Sequence, residues 1–302
     1  MSFRAFVRET SDVTALRKIA PEVELVVGDL NVPDDVYDAC TDIKTIIHAA
    51  ALVSFHSGDR DELLLINGEG TANLVNGALA AGVDHLIHLS SVAALPRKDG
   101  GEAVTLARRW PEAEPNTGYA ESKVAAEREV WRGQAEGLKV SVVYPSTILG
   151  TGDFAGHNTP GLWRRVAGGQ RFYPAGSAGF VGVRDVIQAL LHCLDEPEDG
   201  TRLLLNAANL SWREFLTLVA ESIGVASPTT LMPRWQSNLL WPLEGLRARL
   251  TGDRPQLTRE TARSVQANYR YDGSSYTEVT GNDYEEVREV ITRVGRAWQS
   301  DR

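Results

Sequence analysis

Up to about residue 150 the chain alternates between two hydrophobic patterns. Short, nearly unbroken apolar runs at residues 3–7, 24–27, 45–49, 85–90 and 139–144 have the length and composition of strands. Residues 11–20, 63–81 and 119–136 instead repeat apolar side chains at helical spacing. The two longer stretches stop at Gly82 and Gly137, a residue type suited to the left-handed turn that closes a helix. Strands without polar alternation are those covered on both faces, so the pattern predicts an α/β fold, a doubly wound parallel sheet with crossover helices.

Past residue 153 the pattern becomes more helical. Ser211 and Glu214 have the spacing of a capping box, ahead of an apolar run that Gly224 ends. A Leu- and Trp-rich stretch at 235–250 is too weakly basic for a membrane-surface helix and reads as a packed one, and a further helix is expected at 258–267. The glycine-containing loop around 150–160 divides a sheet-forming region, residues 1–152, from a smaller, mostly helical region, residues 153–302, expected to bind substrate. Parts of the second region can return to the sheet.

Composition narrows the function. With 302 residues, 43% of them hydrophobic, both regions can have a core. A net charge of −9 argues against a nucleic-acid partner but permits a single bound nucleotide. Cys40 and Cys193 read as reduced packing thiols, no stretch approaches the roughly 20 apolar residues that cross a bilayer, and the amino terminus has no secretory-signal pattern. A cytoplasmic protein with a small-molecule substrate and no membrane partner is therefore expected. No His/Cys/Asp cluster has metal-ligand spacing, so no metal is expected.

The chemistry gathers at Ser90 and Ser91, which end a predicted strand, and at Tyr119 and Lys123, four residues apart at the start of a long helix and so on one face of it. Each residue alone has an ordinary structural reading, and chance supplies about 0.1 Tyr-x-x-x-Lys pairs in a chain of this composition. Context adds force, because the chain has 5 lysines against 26 arginines and one of the five falls at this spacing. Carbonyl reduction needs a proton for the developing alkoxide, and an isolated phenol, with a pKa near 10, is poorly matched to neutral pH. A neighbouring ammonium would lower that pKa and could also reach a cofactor ribose, while Ser91 would orient the substrate oxygen.

The stretches INGEGTANLVNGALAAGVDHLIHLSSVAAL, TGYAESKVAAEREV and VVYPSTILGTGD, with VVGDLNVPDDV, IIHAAALVSF and FVGVRDVIQAL, resemble in their order the extended short-chain dehydrogenases, particularly the dihydroflavonol-reductase-like and epimerase-like branch. The resemblance implies a Rossmann-type sheet, an NAD(P) cofactor, and Ser91, Tyr119 and Lys123 as the catalytic trio, with Asn67 helping to hold a proton-relay water. It implies that Asp29 and Leu30 lie beside the adenine, Ala49 and Ala50 along the cofactor backbone, and Pro145, Ser146 and Ile148 beside the nicotinamide. Tyr119 and Lys123 would touch the cofactor too. His48 receives no catalytic role. The two long helices are candidates for a homodimer interface, their apolar faces equally for internal packing.

Arg8 closes the first strand, where an acidic residue would accept from the free ribose hydroxyl and an arginine suits the extra phosphate, so NADP is expected, with NAD the alternative. The sequence departs from the family at its start. The first strand here matches the family's second, and the preceding strand and glycine-rich phosphate turn, a unit of about 25 to 30 residues, have no counterpart. An upstream start or a fragmentary gene reading is favoured over a genuinely shortened protein. A chain without the unit is expected to bind cofactor poorly and turn over barely. The leading expectation is an NADP-dependent oxidoreductase reducing a carbonyl. The alternatives are a nucleotide-sugar epimerase or dehydratase and a non-catalytic cofactor-sensing or interaction module.

Overall fold

A computed structural model describes residues 3–97, 99–107, 117–152, 154, 159–235, 241 and 258–301. The chain opens with β1 (Arg4–Val7), α1 (Thr14–Ile19), β2 (Glu24–Val27), α2 (Pro33–Cys40) and β3 (Thr45–His48). Next come α3 (Arg60–Leu63), a π-helical stretch at Leu64–Glu69, α4 (Gly70–Ala81), β4 (His85–Leu89), α5 (Gly118–Ala135), β5 (Lys139–Pro145) and β6 (Thr147–Leu149). The later elements are α6 (Gly161–Ala167), β7 (Phe172–Pro174), β8 (Ser177–Gly182), α7 (Val183–Asp195), β9 (Thr201–Leu205), β10 (Ala208–Ser211), α8 (Trp212–Ile223) and β11 (Thr230–Met232). The last three are α9 (Arg259–Gln266), α10 (Ser274–Thr280) and α11 (Val287–Ser300).

The main sheet is all parallel in the order β3-β4-β5-β9. Its alternating residues feed two separate cores, the arrangement anticipated from the unbroken apolar runs. Leu86, Val140, Val142, Tyr144 and Leu204 pack toward α2, α4 and α5, while Ile87, Val143, Leu203 and Leu205 pack toward α7. Strand β9 brings the chain back to this sheet after an excursion in which β6 and β8 form a second, mixed sheet with β10, and β7 pairs in parallel with β11. A third core fills the space among α6, α8, α11 and β8 around Trp163, Phe180, Phe215, Val290 and Ile291.

β1 and β2 pair with each other in parallel as a separate sheet, and among the described residues neither joins the main one. The strands thus form two separate parallel sheets, where the family resemblance implies one continuous sheet.

Most element ends lie within a residue or two of the pattern. Gly82 and Gly224 close α4 and α8 at φ 70° and 71°, and Ser211 and Glu214 form the expected reciprocal capping box. Three features differ. The periodic stretch 63–81 is a helix with a π-helical insertion, because one extra residue per turn leaves the hydrophobic repeat almost unchanged. Helices α2, α6, α7, α10 and α11 and strands β6 to β11 were not anticipated, although α11 buries Val287, Val290, Ile291, Val294 and Trp298 at helical spacing against α8. Of the helix expected at 235–250, residues 236–240 and 242–250 lie outside the described ones.

Helices α4 and α5 approach closely at Gly133, where an added Cβ would meet Val75 Cγ1 at 2.8 Å. Gly133→Ala should therefore lower stability by about 1–3 kcal/mol through overpacking, despite alanine's better helix propensity. Denaturant unfolding of the two proteins checks this, and an unchanged or raised midpoint would show that the helices separate freely.

Candidate active site

Four segments converge at the carboxyl end of the main sheet. Ser91 follows β4 and its Oγ accepts a hydrogen bond from Ala93 N at 3.1 Å, starting the 3-10 turn Val92–Ala94. Tyr119 lies in the first turn of α5, whose start is fixed by Thr117 Oγ1 accepting from Ala120 N at 3.0 Å. Arg60 of α3 also pairs with Glu121 there, with Nε donating at 2.8 Å. From the far end of the chain, Glu260 comes near enough to the Gly118 amide for it to favour the carboxylate, against burial, which raises its pKa. Thr258 Oγ1 donates to Phe55 O at 2.7 Å, and the Phe55 ring meets Tyr119 edge-on with centroids 5.6 Å apart.

The Ser91 and Tyr119 hydroxyls lie close enough to interact. Burial raises the phenol above its usual pKa of 10, and Ser91 and the charge of Arg97 only partly offset this. Lys123, one helical turn further along α5, is buried and donates from Nζ to Leu89 O at 2.9 Å. Burial brings its pKa down to about 8, against an opposing pull from Glu127. Arg97, a residue the sequence reading did not single out, adds a positive charge that favours the phenolate, and Lys123 Nζ is turned toward the strand end.

Glu127, one turn beyond Lys123, was also not singled out, although it continues the same helical face. Its carboxylate accepts from Tyr144 Oη at 2.7 Å, Trp131 Nε1 at 3.0 Å and Ser90 Oγ at 3.3 Å. Burial lowers His48 to about 3 and His88 well below the usual histidine range, with Lys123's charge adding to both, so the imidazoles beside the ammonium are neutral. The His48 ring is linked to Thr71 Oγ1 at 3.0 Å.

Asn67 sits in the π-helical stretch. Its Nδ2 donates to Leu52 O and Ser122 Oγ, both at 2.9 Å, and its Oδ1 accepts from Leu52 N at 2.7 Å. These bonds tie the loop after β3 to the residue before Lys123 and engage both side-chain donors within the protein. Irregular turns of this kind are frequent at functional sites.

The residues matched to a nicotinamide cofactor follow the carboxyl ends of β1, β2, β3 and β5 or, for Pro145 and Ile148, lie in β5 and β6. Asp29 follows β2, with Oδ1 accepting from Asn31 N at 2.9 Å, and Leu30 is held through its carbonyl by Asn73 Nδ2 at 2.8 Å. Ala49 and Ala50 are exposed just past β3, and Arg8 is exposed just past β1. Pro145 and Ser146 are buried and Ile148 half-buried, and Ser146 Oγ is a buried hydroxyl without a partner. A buried hydroxyl without a partner just past the end of β5 fits a polar group at the nicotinamide end of the cofactor. Among the described residues no glycine-rich strand-to-helix turn cradles a pyrophosphate. No group of three or more potential metal ligands is found there either, and no described helix is long and apolar enough to cross a membrane.

The desolvated ammonium has a stability consequence. Its folded-state pKa of about 8 lies below the ordinary 10.5, so folding disfavours the charged form. The penalty is complete below about pH 8, fades as pH rises toward 10.5, and is of order 3 kcal/mol. Lys123→Met should accordingly raise the unfolding midpoint at pH 7 and narrow its difference from the parent above pH 9. A lowered midpoint at pH 7 would show that the Leu89 hydrogen bond outweighs the desolvation.

Comparison with known proteins places this geometry. The chain is 33% identical over 237 residues to Sterol demethylase protein B of Methylococcus capsulatus, covering 76% of this chain and 70% of that one. It is 26% identical over 294 residues to a putative dihydroflavonol 4-reductase of Synechocystis, covering 95% and 84%. The crystal structure of gox2253 superposes with a TM-score of 0.82 at 28% identity, over 99% of this chain and 91% of that one. Two more distant structures share the fold. The dTDP-glucose 4,6-dehydratase DesIV of Streptomyces venezuelae, with NAD, has a TM-score of 0.76 at 17% identity over 100% and 89%. RMD of Pseudomonas aeruginosa, with NADPH, has 0.68 at 20% over 98% and 99%. The model of the NAD dependent epimerase/dehydratase family matches residues 3–207, and with the Rossmann-type sheet and the Ser91, Tyr119 and Lys123 cluster at its mouth, the chain belongs to that family.

Proposed function

We propose that the protein is an NADP-dependent oxidoreductase that interconverts a ketone and a secondary alcohol on an apolar substrate. The observation that carries this reading is the convergence of Ser91, just past β4, on Tyr119 in the first turn of α5, with Lys123 one turn further along the helix and bonded to the end of β4. A bound nicotinamide supplies or accepts the hydride. Ser91 orients the reacting oxygen and Tyr119 Oη donates its proton to it, both acting where negative charge develops. Lys123, whose Nζ donates to Leu89 O and whose charged form Glu127 favours, would hold the cofactor ribose and return a proton to the phenol.

The apolar character of the substrate is supported by Phe55, edge-on to Tyr119 and 41% exposed, and by Val53 beside it, 54% exposed, an open hydrophobic wall at the site. The name of the M. capsulatus relative points to the sterol class. The preference for NADP rests on Arg8, whose side chain is exposed beyond β1 and whose backbone is fixed by an amide donating to Ser11 Oγ at 3.1 Å. An epimerase or dehydratase would use the same residues but return its hydride within each cycle, so net NADPH consumption distinguishes the two.

Tyr119→Phe should reduce turnover by at least about a hundredfold while leaving cofactor affinity within a few fold, as expected for loss of a general acid. Steady-state kinetics with cofactor titration measures both, and retained turnover would remove Tyr119 from the chemistry. The raised phenol pKa also sets a direction: the group is protonated at neutral pH and suited to reduction, so alcohol oxidation, which needs the phenolate, should climb with alkaline pH. A flat profile for oxidation between pH 7 and 10 would contradict this.

Arg8→Asp should weaken NADP binding by roughly tenfold or more and leave NAD binding improved or unchanged. Calorimetric titration with each cofactor decides it, and equal losses for both would show that Arg8 does not read the phosphate.

A further inference from the structure

Lys123 is 3% exposed, so the amine that serves Tyr119 has almost no contact of its own with water. Each carbonyl reduction nonetheless consumes one proton from solvent, and that proton has to reach this buried nitrogen. Most of the polar groups around it are unsuited to carry one. Asn67, the residue that the family resemblance links to a relay water, has both side-chain donors bonded, to Leu52 O and Ser122 Oγ. His48 and His88 are buried, with ring centroids 5.2 Å apart, and burial lowers both far enough that neither takes up a proton near neutral pH. Tyr119, one turn back, is the group that Lys123 itself resupplies.

Glu127 differs from all of these. It lies four residues on from Lys123 along α5, on the same helical face. The two tips end on consecutive residues of one strand end, Lys123 Nζ donating to Leu89 O at 2.9 Å and Glu127 Oε2 accepting from Ser90 Oγ at 3.3 Å. Tyr144 Oη and Trp131 Nε1 donate to the other carboxylate oxygen at 2.7 and 3.0 Å and so aim the group. The residue also reaches outward. Glu127 is half-buried and lines a cavity of about 770 Å³, shared with Leu106, Ala107, Trp131, Gln134 and Arg202. At roughly 30 Å³ for each molecule, such a volume holds many waters, and Glu127, Gln134 and Arg202 offer them polar partners. At the inner end, burial brings the amine to about 8 while Glu127 favours its charged form, so Lys123 can lose and regain a proton near neutral pH.

We infer that Glu127 is the proton inlet of the site, taking protons from water in this cavity and passing them across one bridging water to Lys123. In reduction the Tyr119 O–H bond breaks as its proton goes to the alkoxide oxygen, an ammonium proton of Lys123 restores the phenol, and the neutral amine regains a proton through Glu127. One hydride from the nicotinamide and one proton from solvent are taken up for each carbonyl reduced. Oxidation runs the same steps backward and releases the proton to the cavity. Glu127 acts through Lys123 and touches none of the reacting atoms. The inference rests on the oxidoreductase reading for the use made of the proton, while delivery to Lys123 has a test of its own.

The full chain is labelled with a magnetic nitrogen isotope in its 5 lysine side chains, and Lys123→Met assigns the signal of Lys123. Nuclear magnetic resonance at pH 7 then follows the exchange of the Lys123 Nζ protons with water. Glu127→Ala should slow this exchange by roughly tenfold or more, the scale of losing a positioned proton carrier. Formate should restore it by taking the place of the missing carboxylate beside Tyr144, Trp131 and Ser90, and chloride, which carries no proton, should not. A merely structural role for Glu127 would give no such difference between the two anions. Circular dichroism reports folding, and where Glu127→Ala does not fold, Ala107→Trp, which narrows the cavity and leaves Glu127 in place, is read instead and should also slow exchange. Exchange as fast in the variant as in the parent, or slowed exchange that formate does not restore in Glu127→Ala, would overturn the inference. NADPH-dependent reduction of the bicyclic ketone decalone reads the use of the proton, with kcat falling in step with exchange and KM unchanged. Formate-restored exchange in a chain that turns over with neither cofactor supports the inlet and counts against the oxidoreductase reading. Turnover with exchange unchanged in the variants leaves that reading in place and removes the inlet.

Discussion

Burying a lysine ammonium in the seam between a strand end and a helix is the constraint on which the site depends. Lys123 has lost most of its water and received one carbonyl, Leu89 O, in exchange. A single neutral acceptor does not replace bulk hydration, so the cation must be supported from further away. Glu127 supplies that support one helical turn on, and it can do so because Tyr144, Trp131 and Ser90 hold its carboxylate in place. The neutral His48 and His88 pack on the same side without adding positive charge. Sheet, helix and acid network therefore serve one electrostatic problem, and the position of Tyr119 one turn earlier follows from its solution.

The phenol shows which effect wins when burial and neighbouring charge compete. Desolvation is the largest influence on Tyr119 and raises its pKa, while Ser91 and Arg97 pull the other way and do not prevail. The sequence alone suggests Lys123 as the tuning charge, since it sits at helical spacing from the tyrosine. Spacing places two side chains on one face but says nothing of where each tip turns. The ammonium goes to the strand, and the cation felt by the phenol arrives from a loop. A protonated phenol beside a guanidinium is prepared to give a proton to an oxyanion, the condition carbonyl reduction requires.

What was legible followed from local periodicity. Strands buried on both faces, a helix with Tyr119 and Lys123 four apart, and a capping box at Ser211 and Glu214 all write themselves into neighbouring positions. The π-helical turn around Asn67 did not, because an inserted residue barely disturbs a hydrophobic repeat read at single-residue resolution. Glu127 was available to a stricter reading, as the next position on the Lys123 face. Arg97 was not, since its meaning comes from Tyr269 and Tyr271, more than 170 residues later, and no local pattern connects a loop arginine to them. The same distance hid the contacts of Thr258 with Phe55 and of Glu260 with Gly118.

Those long-range contacts bear on how the site can vary. The chemistry is carried by β4 and α5, whose geometry is fixed by the sheet and by the buried ammonium, so little can change there without unfolding the seam. The walls come from elsewhere: Phe55 from a loop held by Thr258, the α5 start held by Glu260, and Tyr269 and Tyr271 set against the segment that carries Arg97. The Phe55 loop and the α5 start are joined to the catalytic framework by one or two polar contacts each, whereas Tyr269 and Tyr271 share the core packed on β4 and β5. Substrate choice can then shift through the carboxyl-terminal segment while the proton-transfer geometry stays as it is, which is how one rigid framework accommodates reactions on chemically different molecules.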